Sequence, residues 1–429
     1  MNINDNCSYS QIKCVCCLFH ETQIETTQAT GKEESVMKRE VIGCDSMDEM
    51  IANHSFNKCP FFFSSPTNTL LGSGIEQSLE QVIPFRELAG TAQQLLNQAK
   101  KSEMDNPVLF GLVPFSEGNP TRFIIPQHLY ASGTPRALPG NVPAKSKALL
   151  VSSPSGEKYK QGVMDALDLF SSTELSKVVL SRAIEIEAEK EIDRSCLLKN
   201  LLKVNPRGYT FSASLNQESS MIGASPELLV AKRGAHLISN PLAGSRPRSE
   251  NEVENARERQ YLLNCTKELH EHQLVVEEVE RVLSQHCHNL YTPMVPSVIE
   301  TNSMLHLSTC LEGHAVNPQI SVLQIASELH PTPAVCGFPR QSAYQAICDI
   351  EQYDRGYFTG MVGWCDARGN GEWVVTIRCA EVNKRLMKVY AGAGIVTQSR
   401  PESELHETGA KMGTILSAAG IELEDMLVA

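Results

Sequence analysis

Apolar positions recur along the chain at two spacings, and each predicts its own kind of element. Leu88, Ala92, Leu95, Leu96 and Ala99 lie three or four apart, which predicts a helix over 88–100 with a single apolar face. The run 177–187 instead alternates. Val179, Ser181, Ala183 and Glu185 face one way, and Val178, Leu180, Arg182, Ile184 and Ile186 the other, as in a strand. On the same grounds 61–63, 106–115, 209–214, 228–232 and 235–239 read as short strands, and 157–170 reads as a helix. One long helix is expected over 250–285, with shorter ones over 320–329 and 341–351. The last quarter reads as strands over 357–364, 372–382 and 386–393, the first two joined by a hairpin turn at 367–371, then a closing helix over 402–419. Strands that follow one another beside packed helices indicate α+β rather than repeated βαβ units.

Three segments follow from the same pass. Residues 1–40 are polar and show no stable period, so they are expected to form a disordered N-terminal tail. A Pro-, Gly- and Ser-rich stretch over 138–155 is the expected boundary between an N-terminal part (58–150) and a core (156–425).

Composition narrows the function classes. Of 429 residues, 41% are hydrophobic and 21% charged, which fits a soluble globular chain and excludes disorder throughout. No apolar run approaches the ~18 residues of a membrane-spanning helix. Lys and Arg total 38 against 50 Asp and Glu, a net charge of −12 without a basic block, so nucleic acid and membrane surfaces are poor partners. An anionic substrate would need a locally basic pocket. The 14 cysteines are sparse for a disulfide scaffold. Cys7, Cys14, Cys16 and Cys17, with His20 nearby, lack the second ligand pair of a zinc site. The apolar stretch 14–19 is too short for a signal-peptide core, so a cytoplasmic location is expected.

Some residues carry candidate chemistry. Glu268 and Glu271 lie three apart on one expected helix, and Glu404 and Glu407 repeat that spacing on the last, so each pair shares a face. Two such faces together would offer hard oxygen ligands suited to Mg²⁺. The bland alternative is an exposed face, since Glu407 and Lys411 form a favourable i,i+4 pair. Lys177 opens an apolar strand and lies outside this carboxylate cluster. Desolvation would suit it to act as a base, although a solvated strand end explains it equally well. Glu227 precedes an apolar run and could be buried and protonated. Gly392-Ala393-Gly394, at a strand end, would let backbone approach an anion, or simply make a tight turn.

Together these segments resemble the chorismate-utilising enzymes. The likeness rests on SKVVLSR at 176–182, IGASPELL at 222–229, PLAGS at 241–245, Glu271-His272, HPTPA at 330–334, and the long runs 360–380 and 391–411, all in family order. The run GWCDARGNGEWVVTIRCA resembles the isochorismate synthases of catechol-siderophore pathways, which feed 2,3-dihydroxybenzoate formation. The resemblance implies one large α+β domain of two extended antiparallel sheets wrapped by helices. It also implies Mg²⁺-dependent conversion of chorismate to isochorismate, with water adding at C2 as the C4 hydroxyl leaves.

Roles follow by the same likeness. Lys177 matches the family's base, Glu227 its acid and His330 a histidine near the ring. A neutral lysine and a protonated glutamate are the opposed pair such chemistry calls for near neutral pH. Glu271 and Glu407 would hold Mg²⁺, with Glu268 and Glu404 behind them or reaching it through water. Arg378 would grip the pyruvyl carboxylate, aided by Gly392 and Gly394. Ala243, Gly244, Ser245, Ala334, Phe358, Ile377 and Lys411 would line the substrate pocket. Ala243 stands where covalent aminodeoxychorismate synthases carry a lysine. Lys177 stands where anthranilate synthases carry glutamine, so no glutamine-hydrolysing subunit is expected; separately, a monomer is expected. A salicylate synthase, which would also eliminate pyruvate, is the alternative that these residues leave open.

Overall fold

Extended segments dominate the chain, and they gather into two large sheets set between layers of helix. The computed structural model describes residues 41–43, 59–100, 106–133, 146–152 and 155–422. The expected tail over 1–40 and its cysteines lie outside the described residues.

Among the described residues there are eight α-helices: α1 (Leu88–Ala99), α2 (Gly156–Ser172), α3 (Arg194–Val204), α4 (Glu252–Asn264), α5 (Thr266–Leu283), α6 (Val322–Leu329), α7 (Arg340–Ile350) and α8 (Pro401–Ala419). Polar caps fix several starts. Ser155, Asp193, Asn251 and Ser321 each accept a backbone N–H bond in the first turn of the helix that follows.

A twelve-stranded sheet runs through Phe61–Ser64, Tyr209–Ser214, Ser219–Ser225, Cys379–Asn383, Leu386–Ile395 and Lys177–Ala188. A nine-stranded sheet has Leu228–Arg233, Gly371–Val375, Met361–Asp366 and Val108–Val113 at its middle. A third sheet joins Leu242–Pro247, Met304–Ser308 and Ser297–Glu300. Neighbouring strands in all three are antiparallel apart from two short edge pairs. This is the expected α+β architecture.

The two large sheets face each other across an aromatic layer that includes Phe61, Phe63, Phe110, Phe211, Phe358 and Trp364. Helices α1, α5 and α6 cover the outer face of the nine-stranded sheet. Helices α3 and α8, then α2 and α7, cover the outer face of the twelve-stranded one. Burial of this extent is the main driving force for folding.

The structure departs from the expected elements in places that matter for the site. The single helix expected over 250–285 is two helices, because Cys265 is extended (φ −77°, ψ 113°). Asn264, Cys265 and Thr266 are all weak helix formers, so little opposes the break, and it places Glu268 in the first turn of α5. The strand expected over 372–382 is also two. Gly371–Val375 belongs to one large sheet and Cys379–Asn383 to the other, and between them Arg378 adopts φ +50°. The stretch 138–155 is not purely a connection: Ser146–Ser152 pairs with Lys177–Ala188 in the twelve-stranded sheet. Strands from the N-terminal part sit in the same two sheets as those of the core.

Candidate active site

Where the two sheets and the short third sheet meet helices α5 and α8, the chain encloses a cavity with about 630 Å³ of empty space. Breaks in regular structure supply much of its lining. Glu227 sits in the turn between Ser219–Ser225 and Leu228–Arg233, Arg378 at the crossing between sheets, and Gly244 at φ +78°.

Helices α5 and α8 bring the four glutamates together as their spacing suggested, but inward rather than to solvent: Glu268, Glu271 and Glu404 are buried. Lysines divide the charge between them. Lys177 Nζ lies 3.0 Å from Glu271 Oε1, Lys267 Nζ 2.9 Å from Glu404 Oε1 and 3.4 Å from Glu268 Oε1, and Lys411 Nζ 2.5 Å from Glu407 Oε1. Ser245 donates its hydroxyl to Glu407 (2.9 Å) and its backbone N–H to Glu268 (3.2 Å). Burial, then the neighbouring Glu271 charge, pushes Glu268 up to about 7. Burial opposes charge on Glu407 too, yet Lys411 holds its carboxyl below the usual range. Burial works against Lys267, but the four carboxylates around it hold it firmly as an ammonium.

Among the described residues no three His, Cys, Asp or Glu side chains are already gathered around one point as a metal centre. The donor set still suits a hard divalent cation: burial, and after it the repulsion between neighbouring carboxylates, raises two of the four. Gly394 leaves the room for one of them, since a Cβ there would stand 2.1 Å from Glu271 Oε1.

The opposite side of the cavity is cationic. Arg378 is buried, and its Nη2 donates to His306 Nε2 at 3.2 Å. Burial lowers Arg378 to about 10, which leaves it charged near neutrality. Burial, with Arg378 and Lys411 adding to it, holds His306 well below its ordinary value, so it accepts that bond as a neutral imidazole. Lys411 also donates to the Gly392 carbonyl at 2.9 Å. Glu227, between these groups, is pushed up to about 7 by burial, against the pull of a backbone N–H bond and of Lys177, Arg378 and Lys411. A carboxyl poised there can both hold and release a proton near neutral pH.

The sequence expectations sort cleanly against this geometry. Ala243, Gly244, Ser245, Ala334, Phe358, Ile377, Arg378, Gly392, Gly394 and Lys411 all line the cavity, as do Glu227, Glu271 and Glu407. Lys177 does not face open space. It is fully buried behind Glu271, and the expectation that it lies outside the carboxylate cluster is corrected by their ion pair. Gly392 and Gly394 are inside the strand Leu386–Ile395 rather than past its end.

His330 is turned elsewhere. Its Nε2 donates to the Pro114 carbonyl (3.0 Å), its ring meets Phe85 edge-on, and burial lowers it to about 4. The histidine in the cavity is His306, which the sequence reading passed over. Its signal was a polar residue inside the apolar run Met304–Ser308, a strand too short to show a clear period. Thr359 and Tyr390 also line the cavity and were not anticipated.

Known proteins fit this geometry. The sequence pattern of the chorismate binding enzyme family matches residues 135–420. A vibriobactin-specific isochorismate synthase from Vibrio cholerae is 63% identical over 92% of this chain and 100% of its own length. Isochorismate synthase DhbC from Bacillus subtilis is 41% identical, covering 86% of this chain and 96% of that protein. A crystal structure described as a candidate 2,3-dihydroxybenzoate-specific isochorismate synthase, DhbC from Bacillus anthracis, superposes with a TM-score of 0.82 at 42% identity, over 87% of this chain and 100% of that one. The chain belongs to the chorismate-binding enzyme family.

Proposed function

We propose that this chain is an isochorismate synthase that supplies a catechol-siderophore pathway through 2,3-dihydroxybenzoate. The observation that carries the chemistry is the placement of Glu227, a buried carboxyl raised to about 7, across one cavity from the Lys177–Glu271 pair. Chorismate to isochorismate needs a proton taken from water and a proton given to hydroxide. In this reading Lys177 reacts as the neutral amine, not as the ammonium paired with Glu271, and accepts the proton as the water oxygen bonds to C2. The two ring double bonds shift to carry the electron pair to C4, and Glu227 protonates the hydroxyl as its C–O bond breaks. One water enters and one leaves, so the change is an isomerisation.

Arg378 anchors the pyruvyl carboxylate with a guanidinium fork, and neutral His306 keeps that fork oriented. Mg²⁺ is the cofactor of this reading, held by Glu271 and Glu407 with Glu268 and Glu404 beside them. Bound there, it would neutralise the ring carboxylate and fix the ring. Ser245 and Lys411 orient Glu407, and Gly394 leaves space for Glu271. The chain works on a small molecule in the cytoplasm, as a monomer without a glutamine-hydrolysing subunit. No helix of the described residues is long and apolar enough to cross a membrane.

Chromatography of the products formed from chorismate, with and without Mg²⁺, tests this reading. Isochorismate that forms only with the metal is the expected result. Salicylate as the main product would overturn it in favour of pyruvate elimination.

A further inference from the structure

A second cavity backs onto the first. With about 990 Å³ of empty space, it opens between helix α2, the strand Lys177–Ala188 and the turn that follows α7. One strand pair separates the two. Ser181 and Arg182 line the second cavity, while their register partners Gly392 and Ala391 line the catalytic one.

The partition is wired by a buried network. Glu351 accepts from Ser181 through its backbone N–H (2.6 Å) and its hydroxyl (2.9 Å), and the Ser181 and Tyr353 hydroxyls are 2.5 Å apart. Arg355 holds the same carboxylate (2.8 Å and 2.5 Å) and donates onward to Val179 O (2.7 Å), Val335 O (2.9 Å) and Thr359 Oγ1 (3.3 Å). Those last three residues line the catalytic cavity. Arg182, for its part, donates to Thr408, the residue after Glu407.

The lining has a recognisable chemistry. Lys158, Arg182 and Lys388 supply three cations against Glu185 and Glu351, with Glu351 held by Arg355 and Glu185 paired to Lys388 at 3.4 Å. Tyr159, Ser181 and Tyr353 add three hydroxyls, and Lys388 lies over the Tyr353 ring at 5.9 Å. Burial raises both phenols, so they stay neutral and do not repel an anion. Cations, hydroxyls and tyrosine rings together suit a small hydroxylated anion with a ring.

We propose that the second cavity binds a small hydroxylated cyclic carboxylate, and that its occupancy is felt in the catalytic cavity through Ser181, Glu351 and Arg355. This stands apart from the reaction assigned to the first cavity, because it is tested by binding. The probe is 2,3-dihydroxybenzoate, titrated calorimetrically into the full chain, into Arg378→Ala, and into a Lys158→Ala/Lys388→Ala double variant.

The expected result is equal binding to the wild type and to Arg378→Ala, with binding at least about tenfold weaker in the double variant, as for the loss of a charge-assisted contact. The double variant should turn over chorismate normally, since neither lysine lines the catalytic cavity. The probe should also change the wild-type rate at saturating chorismate. No binding at millimolar probe, or binding abolished by Arg378→Ala, would place the ligand in the catalytic cavity or nowhere and overturn the site. Undiminished binding to the double variant would overturn it equally. Binding without any effect on rate would overturn the coupling.

Discussion

The two walls of the catalytic cavity are built on opposite plans. One is two regular helices that present glutamates at i,i+3 spacing, each carboxylate matched by a lysine 2.5–3.4 Å away. The other is made of irregular backbone: the turn at Glu227, the crossing at Arg378 with φ +50°, and a short strand bearing His306. On the first wall, charge is dense and paired. On the second, ionisable groups are buried with few direct partners, and burial is the first cause of the shifts at Glu227, Arg378 and His306. A paired wall is suited to holding a cation and a desolvated wall to moving a proton and gripping an anion. Lys177 joins the two, because its ion pair is on the first wall and its charge acts on Glu227 of the second.

Removing that link should have the largest effect. Lys177→Ala should lower kcat by about 10²–10⁴-fold, the contribution of a positioned base. Because Lys177 also pairs with Glu271, the Mg²⁺ dependence should shift as well. A variant with near-normal kcat would leave Lys177 as a counter-ion alone.

Glu227→Gln should come next, with kcat lower by about 10²-fold and KM little changed, since proton delivery matters in the transition state. The sign of the pH effect follows from the raised carboxyl. The acid form is present below about 7 and is lost as pH rises through it, so wild-type kcat should fall across that range. In Glu227→Gln that limb should be absent. A variant that keeps the limb and only melts at a lower temperature would make Glu227 a packing residue.

Substitutions on the paired wall should act on the metal rather than on the proton. Glu271→Gln and Glu407→Gln should each raise the Mg²⁺ concentration needed for half-maximal activity, by about 10-fold or more, with partial recovery in excess metal. If both titrate like the wild type, those carboxylates have no part in holding the cation.

The contrast between the walls also explains what could be read in the sequence. Regular elements announce themselves by period, so α5, α8 and the strand Lys177–Ala188 were legible, together with the glutamates and Lys177 that they carry. Irregular backbone has no period. The split at Arg378 leaves no signal of its own, so Arg378 is found only through family motifs, while Glu227 shows only as a carboxylate ahead of an apolar run and His306 only as a polar residue inside one. The same resemblance led to His330, because two histidines in short apolar surroundings look alike until packing assigns one to Pro114 and the other to Arg378. The break at Cys265 was hidden because the residues around it tolerate a helix almost as well as they tolerate its end.

The gentlest change tests whether the paired wall depends on shape as well as charge. Gly394 lies within the strand Leu386–Ile395, and a Cβ there would stand 2.1 Å from Glu271 Oε1 and 2.7 Å from its Cδ. The atoms in the way are the end of a flexible side chain, so the fold can yield at little cost. Replacing glycine in a strand also recovers roughly 0.5–1 kcal/mol of backbone entropy. Gly394→Ala should therefore melt near the wild-type temperature while displacing Glu271 from both Lys177 and the cation. The half-saturating Mg²⁺ concentration should rise by about tenfold, less than in Glu271→Gln because the carboxylate is moved rather than removed. Calorimetric Mg²⁺ titration beside a melting curve reads both quantities. Unchanged metal affinity at unchanged stability would show that Glu271 finds its ligand position without the space Gly394 leaves, and that charge alone defines this wall.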